Sequence, residues 1–104
     1  MKNKAELKKY RKGARKEREI MKLLEESGAV HTIRSAGSKG IIDIVAVFRE
    51  WIALIQVKPK GGLSVLEFQK LQKLAKQVPR NVVVLLVEYE PRKTPTLKII
   101  SKEG

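Results

Sequence analysis

The chain has no cysteine. Disulfides, thiolate zinc sites and cysteine nucleophiles are therefore excluded together. Histidine occurs once, at His31, too few for a histidine-built metal cage. Aspartate also occurs once, at Asp43, and aromatic residues make up only 5% of the chain. Long apolar runs are missing as well. The longest is Val82 to Val87, against the roughly 20 residues that a membrane-spanning helix needs. The Lys-rich start has no apolar stretch behind it and does not read as a signal peptide. An intracellular, cytoplasmic protein without a membrane partner is expected. Acidic residues are outnumbered, 11 against 23 basic ones, which gives a formal charge of +12 and a pI of about 10.2. So strong a field on so small a body points to a polyanion, nucleic acid before an anionic membrane surface. The first helix is not apolar enough on one face to favour the membrane.

What is present suits one ordered domain over residues 1–104, with 42% hydrophobic and 33% charged residues. Residues 1–10 form a basic lead-in, read as flexible. The spacing of Tyr10, Ala14, Ile20, Met21 and Leu24 predicts a helix from about Arg11 to Ser27, stopped by Gly28. A short strand follows over Ala29 to Arg34, then a small polar loop to Gly40. Ile41 to Phe48 and Trp51 to Lys58 read as strands joined by a tight turn at Arg49-Glu50. Both are apolar on both faces, so they belong in the middle of a sheet. Ser64 and Glu67 make a capping box that opens a second helix, closed by Pro79. Val82 to Tyr89 reads as a buried strand and Thr96 to Ser101 as an edge strand. The predicted order is α-β-β-β-α-β-β, an α/β fold with a central mixed sheet flanked by helices.

Polar groups interrupt this pattern at a few places. A two-residue turn sets Phe48 opposite Trp51, and the same register sets Asp43 opposite Gln56. Lys58 shares their face, among Ile41, Val45, Val47, Ile52 and Leu54. Glu17 falls on the stripe of helix one that should meet the sheet. Two carboxylates, an amide and an ammonium thus converge. Burying such charges costs about several kcal/mol each unless they pair or bind a metal. Hard oxygens from Glu17, Asp43 and Gln56 suit Mg²⁺ or Mn²⁺. With Lys58 beside them, in a strongly basic protein, phosphodiester hydrolysis is the chemistry indicated.

An Asp followed across a hairpin by Gln-x-Lys, behind a helix carrying Glu, resembles the PD-(D/E)xK nuclease superfamily. The likeness extends to the archaeal Holliday junction resolvases through Arg11 to Glu19, Leu23 to Glu25, Arg34 to Lys39, Asp43 to Ala46 and Ile55 to Lys58. It covers almost the whole chain after residue 10. The resemblance implies a restriction-endonuclease-like fold, Glu17, Asp43 and Gln56 at the metal, and Lys58 as the catalytic lysine. It sets Arg18, Arg34 and Ser38 near the scissile phosphate. Arg11, Lys12, Arg15, Lys39 and Lys60 are further candidates for DNA contact. Leu71, Leu74 and Val78 on helix two are the candidates for a homodimer contact, where the family usually has aromatics. Gln56 stands where the family has Glu, which removes one negative charge from the site. Ile42 replaces a proline, and the connection after Lys58 is shorter than in the resolvases. Few asparagines and abundant Lys and Glu suggest a thermophile, and the resemblance implies an archaeal or viral source.

Plainer roles compete with each of these. A lone strand Asp is commonly a hydrogen-bonded structural residue, Glu17 could pair with Lys16 or Arg18, and Lys58 could be an exposed strand-end lysine. Arg34 and Ser38 could only shape a loop, the basic lead-in could be a solvated face, and His31 and Trp51 read as structural. Three functions fit the whole. The first is a metal-dependent, structure-selective endonuclease that recombines or repairs branched DNA. The second is a nuclease of the same fold acting on nicked, flapped or single-stranded DNA. The third is a non-catalytic DNA-binding protein whose site Gln56 has dulled.

Overall fold

The computed structural model describes residues 4–35 and 40–103, with side chains from Ala14 onward. Helix α1 (Lys4–Glu26) is followed by strands β1 (His31–Arg34), β2 (Ile44–Val47) and β3 (Ile52–Pro59). Helix α2 (Val65–Gln77), β4 (Val82–Tyr89) and β5 (Thr96–Ile99) complete the chain. The strands form one sheet in the order β1-β2-β3-β4-β5. Only β3 and β4 run parallel, with α2 as their crossover.

Helix α1 starts at Lys4 rather than near Arg11, because the lead-in is written in strong helix formers, Lys, Ala, Glu and Leu. It stops in a Schellman motif. Gly28, at φ 112°, donates to the Glu25 carbonyl, and the Ala29 N–H reaches back to Leu24 at 2.9 Å. At the other helix the capping box is complete, with the Ser64 side chain accepting from the Glu67 N–H and the Glu67 carboxylate accepting from Ser64.

The two central strands serve both helices by period-two alternation. Ala53, Ile55 and Val57 of β3, with Leu85 and Val87 of β4, pack against Ile20 and Leu24 of α1. Leu54, Val84 and Leu86 face the other way, toward Leu71 and Ala75 of α2. Leu71 is fully buried here, which corrects its expected place in a dimer contact: it is a core residue. Leu74 and Val78 are half-buried against the same cluster. The β2–β3 hairpin keeps the expected register, and the rings of Phe48 and Trp51 stack at 4.1 Å across its turn.

Strand β2 begins at Ile44, three residues later than the sequence suggests. The cause is Asp43. Its N–H reaches the Ile55 carbonyl at 2.8 Å, one residue off the strict register. Its carboxylate Oδ2 then accepts the Val57 N–H at 2.8 Å, the donor that a continued ladder would have given to Ile42. A side chain has replaced a rung of the sheet, and the site is built around that replacement.

Candidate active site

Asp43 is fixed by this bond and sits in partly apolar surroundings. Burial pushes its carboxyl above the ordinary value of 3.8, against the pull of the Val57 N–H. The charges of Glu17 and Glu67 push in the same direction, and the Lys58 ammonium pulls the other way. All three groups are thus within electrostatic reach of Asp43. Glu17, Asp43 and Lys58, three of the four groups that the sequence singled out, act on one another, and Glu67 joins them.

Gln56 and Lys58 follow Leu54 on the α2 face of β3, two residues apart each time. Gln56 is 5% exposed, and its Oε1 is a buried side-chain oxygen that accepts no hydrogen bond from the described residues. An unsatisfied buried amide costs about 1–3 kcal/mol, so such an atom needs an explanation. The Lys58 ammonium lies 2.6 Å from Glu67 Oε2, both side chains being about one-quarter exposed. Glu17, reaching in from α1, accepts from Arg34 Nε at 2.9 Å.

Glu67 is the residue that sequence reasoning missed. The capping-box reading accounted for it completely and so hid its second partner. One carboxylate oxygen caps the helix and the other holds Lys58. The Lys58 bond first, then the Ser64 N–H, lowers its pKa from 4.5 to about 2. Because the folded value lies below the unfolded one, this stabilisation is present above pH 4.5 and is lost as pH falls toward 2. Glu67→Gln is therefore expected to lower the melting temperature at neutral pH and to lose that deficit progressively through the acid window. Melts of both proteins from pH 7 to 2 check this. A constant gap at every pH would show that the charge is not what matters.

Among the described residues, no three carboxylate or histidine side chains stand together closely enough to hold a metal ion. A Mg²⁺ site does not require three. That ion keeps several waters and is held by one or two carboxylates plus substrate phosphate. Asp43 supplies a carboxylate, and Gln56 Oε1 is an oxygen with its lone pairs unused. This donor set, all oxygen, fits Mg²⁺ or Mn²⁺.

The sequence profile of the archaeal Holliday junction resolvases (Hjc) matches residues 8–101. The chain belongs to that family. Its fold is similar to that of the Holliday junction resolvase Hjc from the archaeal hyperthermophile Archaeoglobus fulgidus, with a TM-score of 0.67 and 27% identity. The match covers 86% of this chain and 73% of that one. No curated protein matches the chain. Membership of the Hjc family makes this a resolvase-type nuclease, and it accounts for the five-stranded mixed sheet between two helices.

The remaining expected site residues are distributed as follows. Arg15 and Arg18 are exposed on α1, one to two residues from Glu17. Arg34, at the end of β1, is committed to Glu17. Lys60, largely exposed, pairs with Glu90 at 3.1 Å. Ser38 and Lys39, and the side chains of Arg11 and Lys12, lie outside the described residues. No helix among the described residues is long and apolar enough to cross a membrane.

Proposed function

We propose that this Hjc-family chain is a metal-dependent, structure-selective endonuclease that hydrolyses phosphodiester bonds in branched DNA. The observation that carries this is the buried, unsatisfied Oε1 of Gln56, on the residue before the Val57 N–H that holds the Asp43 carboxylate and two residues before Lys58 on β3. Asp43 and Gln56 would hold one divalent ion, Mg²⁺ or Mn²⁺. When bound, that ion supplies a Lewis acid for the phosphoryl oxygen and lowers the pKa of water.

The other steps belong to the protein. The Val57 N–H holds Asp43 in one orientation, so no reorganisation is needed when charge develops. Lys58 places an ammonium where the phosphate gains negative charge, and Glu67 fixes its position meanwhile. Arg34 is held by Glu17 until a phosphate, a bidentate partner for guanidinium, competes for it. Arg18 and Arg15, outside this core, supply sequence-independent contacts to the backbone.

One such site cuts one strand, so paired cuts require two copies. A homodimer contact is offered by Val65 and Phe68 of α2 and Ile99 of β5. These exposed apolar residues line a cavity of about 440 Å³. The test of the proposal is cleavage of end-labelled four-way, flapped, nicked, duplex and single-stranded DNA in Mg²⁺ or Mn²⁺. The four-way junction should be cut fastest. Preference for another form would keep the nuclease and overturn the junction assignment.

A further inference from the structure

A second cleft lies on the face of the sheet opposite the proposed active site. It is lined by Arg15 and Lys16 of α1, Tyr89 at the end of β4, and Pro91 and Arg92 of the following turn, and holds about 300 Å³. Tyr89 is the register partner of Pro59, the residue after Lys58, so the cleft opens at the same end of the β3–β4 pair as Lys58. The sequence pointed to Arg15, and to Lys16 at the end of its basic first stretch, but gave no signal for Tyr89 or Arg92.

The cleft is basic and its charges are available. Among the described residues, neither Arg15 nor Arg92 has an ion-pair partner. Lys16 pairs with Glu19 at 3.3 Å and stands 5.8 Å from the centre of the Tyr89 ring. The acidic residue of the turn, Glu90, is taken up by Lys60 and Lys93.

The turn itself is costly. The Lys93 N–H donates to the Glu90 carbonyl, and Pro91 and Arg92 are the two central residues. Arg92 has φ 62°. That is the third position of a type II turn, where glycine or asparagine fits best and a long side chain is disfavoured. An arginine held in such a conformation beside a basic cleft points to work done by its guanidinium.

We infer that Arg15, Lys16 and Arg92 form a second backbone-phosphate site, which takes a DNA phosphate remote from the one to be cut. Tyr89 forms its floor. The site rests on the nuclease reading above and adds to it a place that binds DNA without touching the reacting phosphate. It recognises phosphate and not base, so its contribution is the same on any sequence.

The test is DNA binding in EDTA, by titration of a labelled four-way junction and a duplex, over a range of salt. Arg92→Gly removes the guanidinium and supplies the residue that the turn prefers. It should raise or keep the melting temperature, weaken binding about tenfold at low salt, and reduce the salt slope by about one. Arg15→Gln, on a separate element, should show the same loss of affinity. Arg49→Gln, at the hairpin turn at the far end of β3, is the control and should change affinity less than about twofold. Binding by Arg92→Gly equal to that of the parent, or an equal loss in Arg49→Gln, overturns the second site. A parent that cuts no DNA overturns the nuclease reading instead, and a parent that binds none overturns both.

Discussion

Asp43→Asn is expected to abolish cleavage while leaving the fold intact or more stable. The amide oxygen can still accept the Val57 N–H, so the bond that ends β2 survives. What disappears is the charge. Without it the site loses its anionic ligand, and a rate loss of at least about a thousandfold is expected, about 4 kcal/mol of transition-state stabilisation. Stability should move the other way. Burial raises the folded-state pKa of Asp43. A raised carboxyl stabilises the fold below its unfolded pKa and loses that contribution as pH rises through the folded value. At neutral pH the ionised group is thus a burden, and Asn removes it. Asp43→Ala would also leave the Val57 N–H without a partner, at about 1–3 kcal/mol. Single-turnover rates and melting curves on the two variants check both halves. An Asn variant as unstable as the Ala variant would deny that Asp43 is costly to the fold.

Lys58→Met is expected to lose at least about a hundredfold in rate, about 2.7 kcal/mol, with DNA affinity within a few-fold of the parent. Methionine keeps the unbranched bulk on β3 and removes only the ammonium. The variant should also release Glu67 from its 2.6 Å partner, leaving the carboxylate only its helix-capping bond. Glu67→Gln should therefore lower the melting temperature less in the Lys58→Met background than in the parent, because only the Ser64 bond is left to lose. Measuring kcat separately from KM decides the role. A loss confined to KM would make Lys58 a binding residue.

Much of the fold was legible because the code for it is local. The alternation in β3 and β4, the Ser64–Glu67 box and Gly28 after α1 each carry their own physical signal. The place of Asp43 against the end of β3 follows from a hairpin register that a two-residue turn fixes. The start of β2 was not legible, because a side chain at Asp43 takes over a backbone rung, and nothing in the apolar pattern of Ile41 and Ile42 reports that. The lead-in was read as flexible because its charge masked its helix propensity. The family resemblance puts Leu71 at a dimer contact, and a resemblance carries over a position without reporting that here it is buried in the core. Glu67 was passed over because one local role seemed to exhaust it. Arg92 was invisible, since a positive φ at arginine leaves no trace in sequence.

Gln56 is the point at which this chain departs from the pattern of its family, and it decides whether the site works. The most direct measurement is single-turnover cutting of a labelled four-way junction by the parent, Gln56→Glu and Gln56→Ala, in Mg²⁺ and in Mn²⁺. If the buried Oε1 is a metal ligand in a working site, the parent cuts and does so faster in Mn²⁺, the ion that needs a less ideal shell. Gln56→Glu then cuts as fast or faster, and Gln56→Ala falls more than about tenfold. A parent silent with both metals, beside a Gln56→Glu variant that cuts, would contradict the account and leave a DNA-binding protein with a dulled site.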